Sequence, residues 1–217
     1  YTADSRTGIF AMRAAPIQVN YLGYPGTMGA KYMDYIIADQ TLIPKDQRKY
    51  YTEKVVYLPD SFMVNDTKNK KAIKNFTKKD AGLPENGFIF CCFNGLYKAT
   101  PSIFAIWMKI LSQVEDSVLW LPNESILAVK NLKKEAKRNG INDNRIVFAP
   151  RLDSREEHLN RIKLADLFLD TMPYNAHATT SDALQIGLPV VTCIGKSFAS
   201  RVAASLINSM TLSELIT

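Results

Sequence analysis

Between Gly87 and Leu206 short apolar runs alternate with longer stretches of helical character, and that alternation restricts the chain to an α/β fold. The strand candidates are Gly87–Phe93, Ser117–Leu121, Arg145–Ala149, Leu167–Leu169 and Val190–Cys193. Thr100 and Pro101 read as N-cap and first helical residue of a helix to about Val114. Ser125–Arg138 is amphipathic and is stopped by Asn139-Gly140. Ser154-Arg155-Glu156-Glu157 is a capping box that starts a helix to about Leu164. Thr180–Ile186, stopped by Gly187 and Pro189, and Ser197–Leu206 complete the series. Strands spaced by such helices imply a Rossmann-like parallel sheet with helices on both faces. Ligands of such sheets sit beyond the C-terminal strand ends.

The first 80 residues are organised differently. Ile17–Tyr21, Tyr35–Ala38 and Lys54–Leu58 are strand candidates, with a glycine loop at Gly23, Gly26 and Gly29, and they read as the tail of a second α/β domain. The expected division is a first lobe over 1–65, a linker over 66–80 and a nucleotide lobe over 81–217. Of the net charge of +6, most falls on Lys68, Lys70, Lys71, Lys74, Lys78 and Lys79, a stretch read as solvated linker rather than as a nucleic-acid surface. No apolar run reaches the roughly 18 residues of a membrane span, and there is no signal-peptide pattern. Three cysteines and two histidines, scattered, do not supply the ligand spacing of a zinc site. The expectation is a reduced, cytoplasmic protein without structural metal. Lacking an initiator Met, the sequence reads as a piece of a longer chain.

The stretch from Leu167 to Leu184 carries the strongest chemical signal. An apolar run gives way to a Pro/Asn loop with His177, and then Thr179, Thr180 and Ser181 open a helix. The first N–H groups of a helix have no intrahelical acceptor and the dipole end is positive, so such a start binds anions. Asp182, one turn further, is placed for a ribose hydroxyl. Together these point to a nucleoside diphosphate. The plainer alternative is a Thr179 N-cap with Asp182 closing a capping box. Lys98 lies two residues before the Thr100 cap, where a cation is disfavoured unless an anion joins it; otherwise it simply reaches solvent. His158 and Arg161 share a helix face and offer a flat ring and a guanidinium to a base, or else line an exposed surface. Gly195-Lys196-Ser197 is no P-loop, because Val190 stands where its first glycine belongs, and the Gly23 loop lacks the dinucleotide spacing.

Ala15–Thr27, Asp34–Asp39, Phe93–Lys98, Arg155–His158 and Ala199–Ser205, in this order, strongly resemble the O-linked N-acetylglucosamine transferase (SPINDLY-like) family. The resemblance implies a GT-B glycosyltransferase, inverting and metal-independent, that moves N-acetylglucosamine from UDP-GlcNAc to Ser or Thr hydroxyls of a protein acceptor. It implies N-terminal tetratricopeptide (TPR) repeats in the full protein. The short 64–80 stretch suits a bacterial member, since animal members carry an inserted domain there. By position, Lys98 would be catalytic at the diphosphate, His158 and Arg161 would hold uridine, His177, Thr179 and Thr180 would lie at the phosphates and Asp182 at the ribose. Leu22, Gly23 and Pro25 would border the sugar.

This sequence departs from the family in places. The usual His-Thr-Thr reads His177-Ala178-Thr179, Gly95 replaces a phosphate-contacting glutamine, and Tyr174 replaces a cysteine near the N-acetyl group. The family's histidine-bearing segment at the start of the catalytic region is absent from it. With no acidic pair placed for a metal, Lys98 and the helix start after His177 would neutralise the departing UDP. Three other readings remain at this level: a nucleotide-sugar-binding fragment without catalysis, a non-enzymatic interaction domain, and transfer from another donor such as GDP-fucose.

Overall fold

A computed structural model describes residues 5–66 and 76–217. The linker lysines from Lys68 to Lys74 lie outside these residues. After one helical turn, α1 (Gly8–Ala11), the first lobe holds a parallel sheet of β1 (Val19–Asn20), β2 (Tyr35–Ala38) and β3 (Lys54–Tyr57), in that order. The second lobe alternates β4 (Ile89–Cys91), α2 (Pro101–Gln113), β5 (Val118–Pro122), α3 (Ile126–Arg138), β6 (Ile146–Ala149), α4 (Arg155–Ile162), β7 (Leu167–Leu169), α5 (Ala178–Gln185), β8 (Val190–Val191) and α6 (Val202–Ser209). Its five strands are all parallel, in the order β6-β5-β4-β7-β8.

Chain direction across this sheet reverses once. The chain steps outward from β4 to β5 to β6, then returns through α4 to β7 on the other side of β4. With right-handed crossovers the reversal sends successive helices to opposite faces. Trp107 on α2, Trp120 on β5 and Phe168 on β7 fill the core, each no more than 2% exposed. Arg145 closes the base of the sheet: its guanidinium donates to the carbonyls of Leu111, Val114 and Ser117 at 2.7–2.8 Å and so caps the end of α2.

Caps fall largely where side-chain chemistry puts them. Thr100, Ser125 and Ser154 accept from the backbone N–H of Ile103, Ala128 and Glu157. Of the Ser154–Glu157 capping box the structure shows the Ser154 half, and the same hydroxyl donates to Glu156. Two local expectations are corrected. The helix expected from Ser197 is broken: a short turn over Phe198–Ser200 ends at Arg201, whose φ of −128° is not helical, and α6 restarts at Val202. At the fourth helix the N-cap is His177, not Thr179, and the Thr179–Asp182 capping box does not form, because both residues lie inside α5.

The lobes share a second, smaller core. Ile36, Ala38, Leu42, Ile43 and Phe62 pack with Phe198 and Val202, and the Phe62 and Phe198 rings meet edge-on at 5.3 Å. Asp39, 1% exposed, accepts from Leu42 N–H and Phe62 N–H on its own lobe and from the Ser205 hydroxyl of α6 at 2.6 Å. Arg201 donates to the carbonyls of Thr41 and Gly195.

Candidate active site

The strand order reverses between β4 and β7, and the crevice outside such a switch point is where an open parallel sheet receives ligands. Two segments leave the sheet there: Cys92–Thr100 after β4 and Asp170–His177 after β7. Lys98 is half-buried on the first. Its Nζ donates to the Asn175 carbonyl at 3.0 Å and lies 4.0 Å from the centroid of the Tyr174 ring. Burial lowers its pKa below the ordinary lysine value. The alternative in which Lys98 simply reaches solvent is thereby set aside.

The second segment is fastened from below by Asp170. This carboxylate accepts from Thr192 Oγ1, from the N–H groups of Ala176 and Thr171, and more weakly from Asn94 Nδ2. Burial nonetheless pushes its pKa up to about 6. Asn175 donates to the Thr171 carbonyl, and its own N–H donates to Ala199 O. The resulting loop stacks His177 on Tyr174, with centroids 4.9 Å apart and planes 23° from parallel. Burial pushes His177 down to about 4, so the ring is neutral at pH 7. Its Nε2 lies 3.1 Å from the Ala199 carbonyl, which can only accept, so Nε2 carries the proton and Nδ1 is left as an acceptor.

The hydroxyls of Thr179 and Thr180 at the start of α5 are already engaged within the protein. Asn94 Nδ2 is engaged by Thr171 and Asp170, which fixes the amide and turns Oδ1 towards Thr179, whose hydroxyl donates to it. Thr180 is fully buried and donates to the Ala176 carbonyl, so the structure does not bring its side chain to the site. The donors left for an anion are the first-turn N–H groups of α5.

Farther along the same edge, His158 and Arg161 line a cleft of about 560 Å³ with Phe93, Glu124 and Pro150. Arg161 donates to the Pro150 carbonyl at 2.6 Å, and its Nη2 meets His158 Nδ1 at 3.1 Å. The His158 ring stands edge-on to Phe93 at 5.1 Å. Burial and the Arg161 charge hold His158 below its usual pKa. Asp182 is already paired: Arg155 Nη2 reaches Asp182 Oδ1 and also lies 3.3 Å from Gln185 Oε1. A ribose there would have to share this carboxylate with Arg155. Leu22, Gly23 and Pro25 form a largely exposed loop, with Leu22 at a positive φ of 58°. Glu53 ties the end of that loop down by accepting from Thr27 Oγ1 and Met28 N–H. Tyr24 of the same loop lies close enough to Tyr174 to help raise the Tyr174 pKa.

With this geometry in view, the relatives are informative. The sequence profile of glycosyl transferase family 41 matches residues 1–80 and 68–217. The chain belongs to that family. It is 41% identical, over 95% of its length, to SEC of Arabidopsis thaliana, named as a probable UDP-N-acetylglucosamine–peptide N-acetylglucosaminyltransferase, and covers 22% of that protein. It is 28% identical to a Caenorhabditis elegans UDP-N-acetylglucosamine–peptide N-acetylglucosaminyltransferase, of which it covers 28%; that alignment runs over 327 residues against 217 here, so the relative carries insertions. A solved Thermobaculum terrenum O-GlcNAc transferase mutant superposes with a TM-score of 0.84 at 29% identity, over 96% of this chain and 39% of that one. The fold is therefore of the GT-B type, and the chain spans about a quarter of the length of these curated relatives.

Asn94, Asp170 and Asn175 carry the crevice, yet none was singled out from sequence. All three stand in the quoted stretches, but only tertiary structure shows that they hold Thr179 and the 171–176 loop. Arg155 was visible only within the capping-box stretch and a family motif, and its pairing with Asp182 had no sequence signal.

Proposed function

We propose that the full protein is an inverting glycosyltransferase that moves N-acetylglucosamine from UDP-GlcNAc to Ser or Thr hydroxyls of protein acceptors without a metal. The observation that carries this reading is the convergence of the Lys98 ammonium and the start of α5 at the switch point, with an aromatic and guanidinium cleft alongside. The names of the relatives supply the donor and the acceptor class.

Negative charge grows on the β-phosphate as the sugar–oxygen bond breaks. Lys98 and the first-turn N–H groups of α5 would take that charge, while the 81–217 lobe holds the nucleotide. His158 and Arg161 would hold uracil. His177, neutral with Nδ1 open, would accept a hydroxyl of the sugar or phosphate edge, and Thr179 would offer oxygen lone pairs or turn away from Asn94. Asp182 would share the ribose with Arg155. Leu22, Gly23 and Pro25 of the 1–65 lobe would border the sugar across the 66–80 linker. Tetratricopeptide repeats elsewhere in the protein would present the acceptor, in the cytoplasm.

The test is transfer by the full-length protein. Supplied with radiolabelled UDP-GlcNAc and a Ser/Thr-rich protein, in excess chelator, it should label the acceptor. Label only from GDP-fucose would reassign the donor, and UDP binding without any transfer would leave a nucleotide-sugar-binding protein.

A further inference from the structure

The Lys98 ammonium is held in an unusual way for a half-buried cation. Among the described residues no carboxylate lies within ion-pair distance of it. Its contacts are one carbonyl, that of Asn175 at 3.0 Å, and the face of one ring, that of Tyr174 at 4.0 Å. The ring is itself fixed, stacked on His177, whose Nε2 is anchored to Ala199. Buried phenols resist ionisation, and Tyr174 is shifted upward for that reason, so the ring faces Lys98 as a neutral quadrupole.

We propose that Tyr174 is a positioning residue for Lys98: its ring face, not its hydroxyl, seats the ammonium at the point where charge builds on the leaving group. This rests on the role proposed above for Lys98. An ammonium over a ring is attracted without being neutralised, so the full positive charge stays available to a phosphate. A carboxylate in the same place would fix the lysine equally well but cancel its field. The Asn175 carbonyl gives a single direction; the ring gives the second constraint that keeps a flexible four-carbon stem in one pose.

The experiment uses the full-length protein with Tyr174→Phe, Tyr174→Leu and, at the same position, phenylalanine carrying one, two or three ring fluorines. Fluorine withdraws the quadrupole while barely changing shape. The proposal predicts that Tyr174→Phe keeps kcat within about threefold, that Tyr174→Leu loses about tenfold or more in kcat with little change in donor KM, and that kcat falls stepwise along the fluorinated series. UDP affinity should stay nearly constant throughout. A flat fluorinated series, or a Tyr174→Leu variant as fast as the parent, would overturn it. So would loss of activity in Tyr174→Phe, which would give the role to the hydroxyl. If Tyr174→Leu fails to fold, the fluorinated series decides alone. A parent protein that neither binds UDP nor turns over a UDP-sugar would overturn the underlying reading of the site, and this role with it.

Discussion

Lys98 and Asp170 show how burial sets the chemistry of single groups here. Lys98 is charged, half-buried and without a carboxylate at contact distance, an arrangement that favours receipt of an anion. Lys98→Ala should lower kcat by about 10²–10³ while weakening UDP binding much less, because leaving-group charge is larger in the transition state than in the bound donor. A variant with raised KM and unchanged kcat would assign Lys98 to uniform binding. Asp170 makes a different prediction. Its folded pKa of about 6 lies above the ordinary 3.8, so the folded state holds a proton that the unfolded state has released between those values. Its contribution to stability is therefore greatest below about pH 4 and falls as pH rises to about 6, by on the order of 2–3 kcal/mol. Asp170→Asn keeps an oxygen for the backbone donors and lets Thr192 turn to accept. Urea melts of the two proteins from pH 4 to 7 should show this component in the parent and not in the variant. A parent whose stability relative to the variant rises with pH would refute the sign.

At the scale of elements, strand entries and helix caps decide what is tolerated. Gly87, just before β4, has a φ of +103°, and a Cβ there would lie 1.9 Å from the Asp116 carbonyl oxygen. Gly82 also has a positive φ, +67°, but opens onto free space. Gly87→Ala should therefore cost several times as much as Gly82→Ala, whose cost should be about 1 kcal/mol, as read from thermal melts. Equal melting temperatures for the two would contradict the geometry. The element pattern of the second lobe was legible in the sequence because its caps and stops are local: Thr100-Pro101, Ser125, Ser154 and Asn139-Gly140 all act within a turn of themselves. Strand lengths were overestimated for a non-local reason. Val190–Cys193 is β-branched or apolar throughout, but only Val190 and Val191 have a ladder partner, and Thr192 instead forms a lone bridge to Ile216. The Thr179 capping box failed for a similar reason. Asn94, 85 residues earlier, captures that hydroxyl, and the cap position passes to His177.

Across the whole molecule, one buried carboxylate does much of the joining. Asp39 serves two backbone N–H groups of the first lobe and a hydroxyl of α6. Asp39→Ala would leave two buried backbone N–H groups without acceptors, each worth roughly 1–3 kcal/mol, and strip the Ser205 hydroxyl of one of its two partners, Ser61 remaining. Ser205→Ala removes two hydrogen bonds, to Asp39 and to the Ser61 hydroxyl, for about 1 kcal/mol each, and leaves both backbone N–H groups paired. Calorimetric melting should rank them in that order, and a milder Asp39→Ala would show that the lobes are held by the Phe62–Phe198 core alone. Hydropathy and caps in the sequence pointed to the second lobe, whereas this junction was invisible to them, since its residues lie some 160 positions apart. Of the candidate site residues, Lys98 and His158 stand in the family motifs, whereas Arg161 and His177 come from helix-face and helix-start chemistry; the structure sets Lys98 and His177 on the Tyr174 ring and His158 beside Arg161. Thr180 was misplaced, because its hydroxyl turns inward to Ala176.

Whether the crevice at the β4/β7 switch point takes UDP without a metal is decided by a calorimetric titration of the protein with UDP in excess chelator. One UDP should bind saturably without added metal, at least about tenfold more weakly in His158→Ala through loss of the base contact, and GDP should bind more weakly than UDP. Binding that appears only when Mg²⁺ or Mn²⁺ is restored, or that is untouched by His158→Ala, would contradict a metal-free UDP site there.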